Sequence, residues 1–180
     1  MNLVSVWQRI SVADSNLCLL VNRLSRRRAV APLFRLVSRL GDGVFWYAVM
    51  AVLPLLYGWQ GLKVTLLMVM VGMINLLLYR KCKTAFARER PFVSLPPINL
   101  AAAPLDRYSF PSGHTLHAVG FSVTASAFFP ELAVALYPFA ALVALSRPLL
   151  GLHYPSDVIV AAAIGFSVSH GLILLSLPLF

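Results

Sequence analysis

The chain has 180 residues, 59% of them hydrophobic and only 12% charged, against about 45–50% and about 25% in ordinary soluble domains. That balance excludes a disordered chain and leaves too little polar surface to cover a water-soluble helical fold. Two cysteines, Cys18 and Cys82, exclude a disulfide scaffold and a four-cysteine zinc site, and a formal charge of +9 in so apolar a chain points to anionic lipid or a phosphorylated substrate, not to nucleic acid.

Residues 1–40 come first and differ from the rest. Arg9, Asp14, Asn16, Asn22 and Arg23 interrupt any spanning run. Leu17, Leu20, Val21 and Leu24 recur at helical spacing on one face. Arg26, Arg27, Arg28, Arg35 and Arg39 follow. The pattern predicts one or two amphipathic helices lying on a membrane, or a reduced first spanning helix. A secretory signal peptide fits poorly, because the start is not basic and polar residues break any apolar core. This N-terminal interfacial region, 1–40, is expected to precede a membrane domain over 41–180.

Uncharged runs then occupy 43–62, 64–79, 108–130, 132–146 and 158–180. A spanning helix needs about 20 mainly apolar residues. Lone charges at Lys63 and Glu131 border the shorter runs and can snorkel to the interface. Five spanning helices are predicted, near 43–60, 62–80, 114–130, 132–149 and 156–177. The expected fold is all-α, a polytopic membrane helix bundle. Small residues such as Gly72, Gly165 and Ala161-Ala162-Ala163 suit close helix packing. The Pro-rich stretch 91–111 reads as a loop between spans.

Counting crossings places the ends at 42, 80–113 and 147–157 on one membrane face. The turns near 60–63 and 131 fall on the other. Lys83, Arg90, Ser112, His114, Arg147, His153 and Asp157 therefore gather at one end of the bundle.

Lys83 and Arg90 lie seven apart and share a face if the second span runs through them. They are either snorkelling flank residues or a phosphate clamp. Pro111-Ser112-Gly113-His114 opens the third span, with Ser112 as an N-cap and Gly113 permitting close backbone approach. This is either a capped turn or an anion site with a proton donor. Ser146-Arg147 precedes His153 and Asp157, which are spaced i, i+4. The carboxylate can hold one imidazole nitrogen and leave the other free as a nucleophile, or the pair is structural. Arg147 offers a planar fork suited to phosphate oxygens.

Together the pieces read Lys83-x6-Arg90-Pro91, Pro111-Ser112-Gly113-His114 and Ser146-Arg147-x5-His153-x3-Asp157. This resembles the three-part signature of the type 2 phosphatidic acid phosphatase family, the integral-membrane lipid phosphatases, over roughly residues 42–180. The resemblance implies His153 as nucleophile, through a phosphohistidine. It implies Asp157 as the partner that orients His153, and His114 as the acid and base. Lys83, Arg90, Ser112, Gly113 and Arg147 would bind the phosphoryl oxygens. No metal or cofactor is expected, since three cations and a helix N-terminus can neutralise phosphoryl charge.

Vanadate-dependent haloperoxidases share the pattern but are soluble. Short bacterial members, among them undecaprenyl pyrophosphate phosphatases, are similar in compactness. The expected substrate is thus a lipid phosphate or pyrophosphate, with undecaprenyl pyrophosphate preferred. Phosphatidylglycerophosphate and phosphatidate are alternatives, and a lipid transporter without turnover is the reading from another class. His117, His170 and Asn75 read as packed polar residues, with His117 a candidate supporting partner of the site. The resemblance implies a bacterial inner membrane and an extracytoplasmic site, whereas the excess of Arg and Lys on that face argues for the cytoplasm.

Overall fold

The computed structural model describes residues 3–179, with side chains described over 11–178. Arg9 lies outside the described side chains. The chain is 82% helical, with no strand among the described residues. Helices α1 (Leu3–Asn22), α2 (Val30–Arg39), α3 (Phe45–Phe86), α4 (Pro91–Ser94), α5 (Gly113–Phe128), α6 (Ala133–Leu149) and α7 (Pro155–Ser176) follow in order.

Among the described residues, three helical stretches are long and apolar enough to cross a membrane: Val30–Ser94, Pro130–Leu149 and Pro155–Ser176. The first of these is not one rod. Gly58 takes φ 55°, ψ −131° inside α3, a left-handed setting that favours glycine. Beyond it the chain folds back, so that Thr65 Oγ1 donates to the Met50 carbonyl at 3.0 Å. The turn expected at 60–63 therefore falls a few residues earlier. The Tyr57 ring stacks on Phe129, centroids 3.8 Å apart, and its hydroxyl meets Glu131. This clasp puts the Gly58 turn and the α5–α6 turn at the same end of the bundle.

Helix α5 is only 16 residues long but occupies the centre, packed by α3, α6 and α7. Its burial depends on small residues and paired hydroxyls. A Cβ added at Gly165 of α7 would lie 2.4 Å from the Leu116 carbonyl oxygen, so the two backbones touch directly. Ser169 donates to the Gly120 carbonyl at 2.6 Å and lies 2.9 Å from Thr124 Oγ1. Ser122 donates to the Leu136 carbonyl at 3.1 Å. Around this seam Trp46, Leu53, Val64, Met68, Val71 and Phe121 form the apolar core.

At the opposite end from the clasp, α1 lies against the α6–α7 connection. Its buried stripe is Asp14, Cys18 and Asn22, spaced i, i+4, i+8. Asn22 Nδ2 donates to the carbonyls of Leu149 and Asn99, both at 2.9 Å. Cys18 Sγ lies 3.7 Å from the His153 carbonyl oxygen. Most of the apolar stripe faces the other way, with Leu17 46% and Leu20 58% exposed, while Val21 packs on the cluster of Leu149, Leu150 and Leu152. Such a helix presents leucines to lipid and polar groups to its own protein. Helix α2 packs on α6 and runs into α3 through one π-helical turn over Leu40–Val44.

Candidate active site

Helix α3 stops at Phe86, because Ala87 adopts a left-handed φ of 43°. Arg90 is therefore not on the helix that carries Lys83, contrary to the expectation from their spacing. It sits in extended backbone just before Pro91, which begins α4. The two cations converge all the same. Lys83 Nζ lies 2.7 Å from Asp106 Oδ1, and Arg90 Nη2 donates to the same oxygen at 2.8 Å. Tyr79 hydrogen-bonds the other carboxylate oxygen, and Lys83 also donates to the Tyr108 carbonyl. Burial pushes the Asp106 carboxyl up. Hydrogen bonds from Lys83 and Tyr79, with the Lys83 and Arg90 charges, outweigh it and hold the carboxyl at about 2.

Arg90 also reaches the third signature piece. Its Nη1 donates to the Leu152 carbonyl at 2.8 Å and lies 3.3 Å from His153 Nε2. His153 is fully enclosed in the α6–α7 loop. Burial, then the positive charges of Arg147, Arg90 and Lys83, hold its pKa well below the ordinary imidazole value. The ring is therefore neutral, with a lone pair available on one nitrogen.

The expected His153–Asp157 hydrogen bond is not closed. Nδ1 and Oδ2 stand 3.8 Å apart, and Nδ1 has no partner. Asp157 is occupied elsewhere: Oδ2 accepts the Tyr154 N–H at 2.9 Å at the start of α7, and Oδ1 faces Arg88 at 2.6 Å. Arg88 in turn pairs with Asp14 of α1 at 2.7 Å and with Ser156 at 2.8 Å.

Arg147 closes α6, buried, with Nη1 on the Ser38 hydroxyl and Nε without a partner. Ser112 holds the N-cap position of α5, as expected, but makes no side-chain cap. Its hydroxyl meets Thr115 Oγ1 at 3.0 Å instead. Gly113 is packed under the Tyr79 ring, where a Cβ would come within 2.8 Å of Cε2. His114 Nε2 lies 3.2 Å from Asp42 Oδ1. All eight residues singled out in the sequence thus lie at one end of the bundle.

A cavity of about 410 Å³ leads away from His114 between the two limbs of α3 and α5. Trp46, Tyr47, Val69, Met73, Leu76 and Leu105 supply its apolar wall. His117 lines it one helical turn beyond His114, its ring 5.5 Å from Phe121. Asn75 is buried and donates to the Leu116 carbonyl at 3.4 Å. His170 corrects the expectation of internal packing: it is exposed on α7, stacked on Phe166 at 5.6 Å.

Sequence reasoning missed Asp106, Arg88, Asp42, Asp14 and Tyr79. One signal was available. The chain has only six acidic residues, and all four aspartates lie at this end of the fold.

The geometry defines a class: a membrane helix bundle that gathers buried cations and imidazoles at one end, beside an apolar groove. The family model described as the PAP2 superfamily matches residues 60–178. The chain belongs to this superfamily. It is 33% identical over 114 residues to a lipid A 1-phosphatase of Rhizobium etli, an alignment covering 59% of this chain and 46% of that protein. A lipid A 1-phosphatase of Rhizobium johnstonii is 32% identical over 111 residues, covering 59% and 44%. The match thus spans somewhat under half the length of these curated relatives.

Among solved structures, Aquifex aeolicus LpxE superposes with a TM-score of 0.78 at 26% identity, covering 88% of this chain and 93% of that one. The transmembrane PAP2-type phosphatidylglycerolphosphate phosphatase of Bacillus subtilis has the same fold, with a TM-score of 0.73 at 22% identity, covering 93% and 86%.

Proposed function

We propose that this protein is a metal-independent lipid phosphatase that works through a phosphohistidine. The observation that carries the reading is the convergence of His153, His114 and three buried cations at the head of an apolar groove. His153 Nε2 attacks phosphorus while the bond to the leaving oxygen breaks. His114 gives its proton to that oxygen, then takes one from the water that cleaves the phosphohistidine. Inorganic phosphate leaves and His153 is regenerated. Lys83, Arg90, Arg147, the α5 N-terminus, Ser112 and the Gly113 backbone hold the phosphoryl oxygens. Asp157 steadies the His153 ring once their 3.8 Å separation closes.

The substrate is a membrane lipid with a terminal phosphate or pyrophosphate. Undecaprenyl pyrophosphate is the reading favoured by the compactness shared with the short bacterial members of the family. The 1-phosphate of lipid A is the second, favoured by the relatives over the aligned 59% of the chain. The test is phosphate release by purified protein in detergent, over a panel that adds phosphatidylglycerophosphate and phosphatidate. Release is expected to persist in EDTA and to be inhibited competitively by vanadate, which mimics the five-coordinate phosphoryl group. Release from no member of the panel would leave a binding or transport protein. Loss of release in EDTA, with recovery in magnesium, would overturn the metal-free route.

We further propose five crossings, with the site on the extracytoplasmic face of a bacterial inner membrane. The exposed arginines of residues 23–39 would then meet anionic lipid head groups. A cysteine introduced in the 92–110 loop should react with an impermeant thiol reagent on intact cells. One at Glu131 should react only after permeabilisation. The opposite pattern reverses the orientation.

A further inference from the structure

Asp106 does something the signature does not describe. The two cations of the first signature piece both point at one oxygen of its carboxylate, at 2.7 and 2.8 Å. Arg90 is nearly saturated by this arrangement. Its Nε donates to the Asp106 carbonyl at 2.9 Å, Nη2 to the Asp106 carboxylate, and Nη1 to Leu152 with His153 beside it. A phosphoryl group cannot take Lys83 and Arg90 until Asp106 releases them. The neighbouring Leu105 lines the mouth of the apolar groove. Leu105 and Asp106 therefore present an apolar side chain and an anion to the same two places as a lipid and its phosphate. The Asp106 side chain is 30% exposed, so it has room to swing outward.

We propose that Asp106 is a specificity-determining residue that reserves the site for phosphate monoesters and pyrophosphates by excluding phosphodiesters. The inference rests on the phosphatase reading above. The bilayer surrounds this site with phosphodiester head groups at high local concentration. A diester carries a single negative charge, no more than Asp106 already offers. Asp106 also competes as a tethered group, at the high effective concentration of an intramolecular partner. A terminal phosphate carries between one and a half and two charges near pH 7. Its additional charge has a waiting partner in Arg147, whose buried Nε is unpaired. Only the more highly charged head group gains enough to displace the carboxylate.

The experiment compares wild type with Asp106→Asn, which keeps the shape and a hydrogen-bond acceptor but loses the charge. Inorganic phosphate binding is read from thermal melting in detergent, without turnover. Asp106→Asn should bind phosphate about tenfold tighter or more, the scale of one displaced charge-assisted contact. Its melting point should be lower without phosphate, because two cations lose their counter-ion, and should rise further on phosphate addition. Phosphatidylglycerol should become a competitive inhibitor of phosphate release by Asp106→Asn while leaving wild type unaffected.

Asp106→Ala, which removes the charge and the acceptor together, guards against a folding artefact and should show the same direction of change. Weaker or unchanged phosphate binding in both variants, with no new inhibition by phosphatidylglycerol, would make Asp106 an orienting group for Lys83 and Arg90 and overturn the proposal. Failure of wild type to bind phosphate or release it would overturn this proposal together with the phosphatase reading. Wild-type release with no tighter binding in the variants would overturn this one alone.

Discussion

His153→Ala is expected to reduce phosphate release to background, a loss of roughly 10⁴–10⁶-fold, the range seen when the nucleophile of a preorganised site is removed. The ring is buried and neutral, and its Nε2 lies 3.3 Å from Arg90 Nη1, beside the cations proposed to hold the phosphoryl group. No other nucleophile takes its place. Cys18 lies on the far side of the loop, against the His153 carbonyl, and His114 is turned toward Asp42. The check is a phosphate-release assay paired with trapping of an acid-labile phosphoenzyme, which the variant should not form. Near-normal release by His153→Ala would overturn the nucleophile assignment.

Arg147→Lys is expected to lower kcat/KM by about 10²–10³-fold, the usual cost of removing one preorganised donor from a charge-stabilising site. The substitution keeps the charge and loses the fork. One arm of the guanidinium is committed to Ser38, which fixes its plane, while Nε remains unpartnered inside the protein. A lysine has no second arm with which to hold Ser38 and a phosphate oxygen together. Vanadate inhibition should weaken in parallel, with the melting point close to wild type. Wild-type kinetics would mean that Arg147 only braces α6 against α2.

The helices were legible in the sequence because charges punctuate the apolar runs. The expected spans at 114–130, 132–149 and 156–177 correspond to Gly113–Phe128, Ala133–Leu149 and Pro155–Ser176. Counting crossings sufficed to bring the signature residues to one end, since a bundle with short turns leaves a side chain little choice of face.

Periodicity was less informative about direction. It found the leucine stripe of α1, but lipid and protein both compete for such a stripe, and here the polar stripe won the protein side. Nor did spacing reveal that α3 ends before Arg90. The left-handed turn at Ala87 has no glycine to announce it. The aspartates were illegible for a further reason. Asp42, Asp106 and Asp14 each find a partner far away in the chain, and no local pattern encodes a long-range ion pair. Their scarcity was the available clue. In a chain with fifteen basic residues, an acid placed near the pocket is a counter-ion before it is anything else.

The polar stripe of α1 also sets an order of events. Asp14, Cys18 and Asn22 are made 142, 135 and 127 residues before their partners Ser156, His153 and Leu149. At about 5–20 residues per second, the ribosome separates Asp14 from Ser156 by on the order of ten seconds. For most of that interval α1 lacks the α6–α7 connection it docks on, with only Arg88 and Asn99 among its later partners already made. A helix made early thus completes its docking late. Its docking closes a loop of 142 residues, and that same step ties Asp14 to Arg88 and Ser156 beside the Asp157 carboxylate.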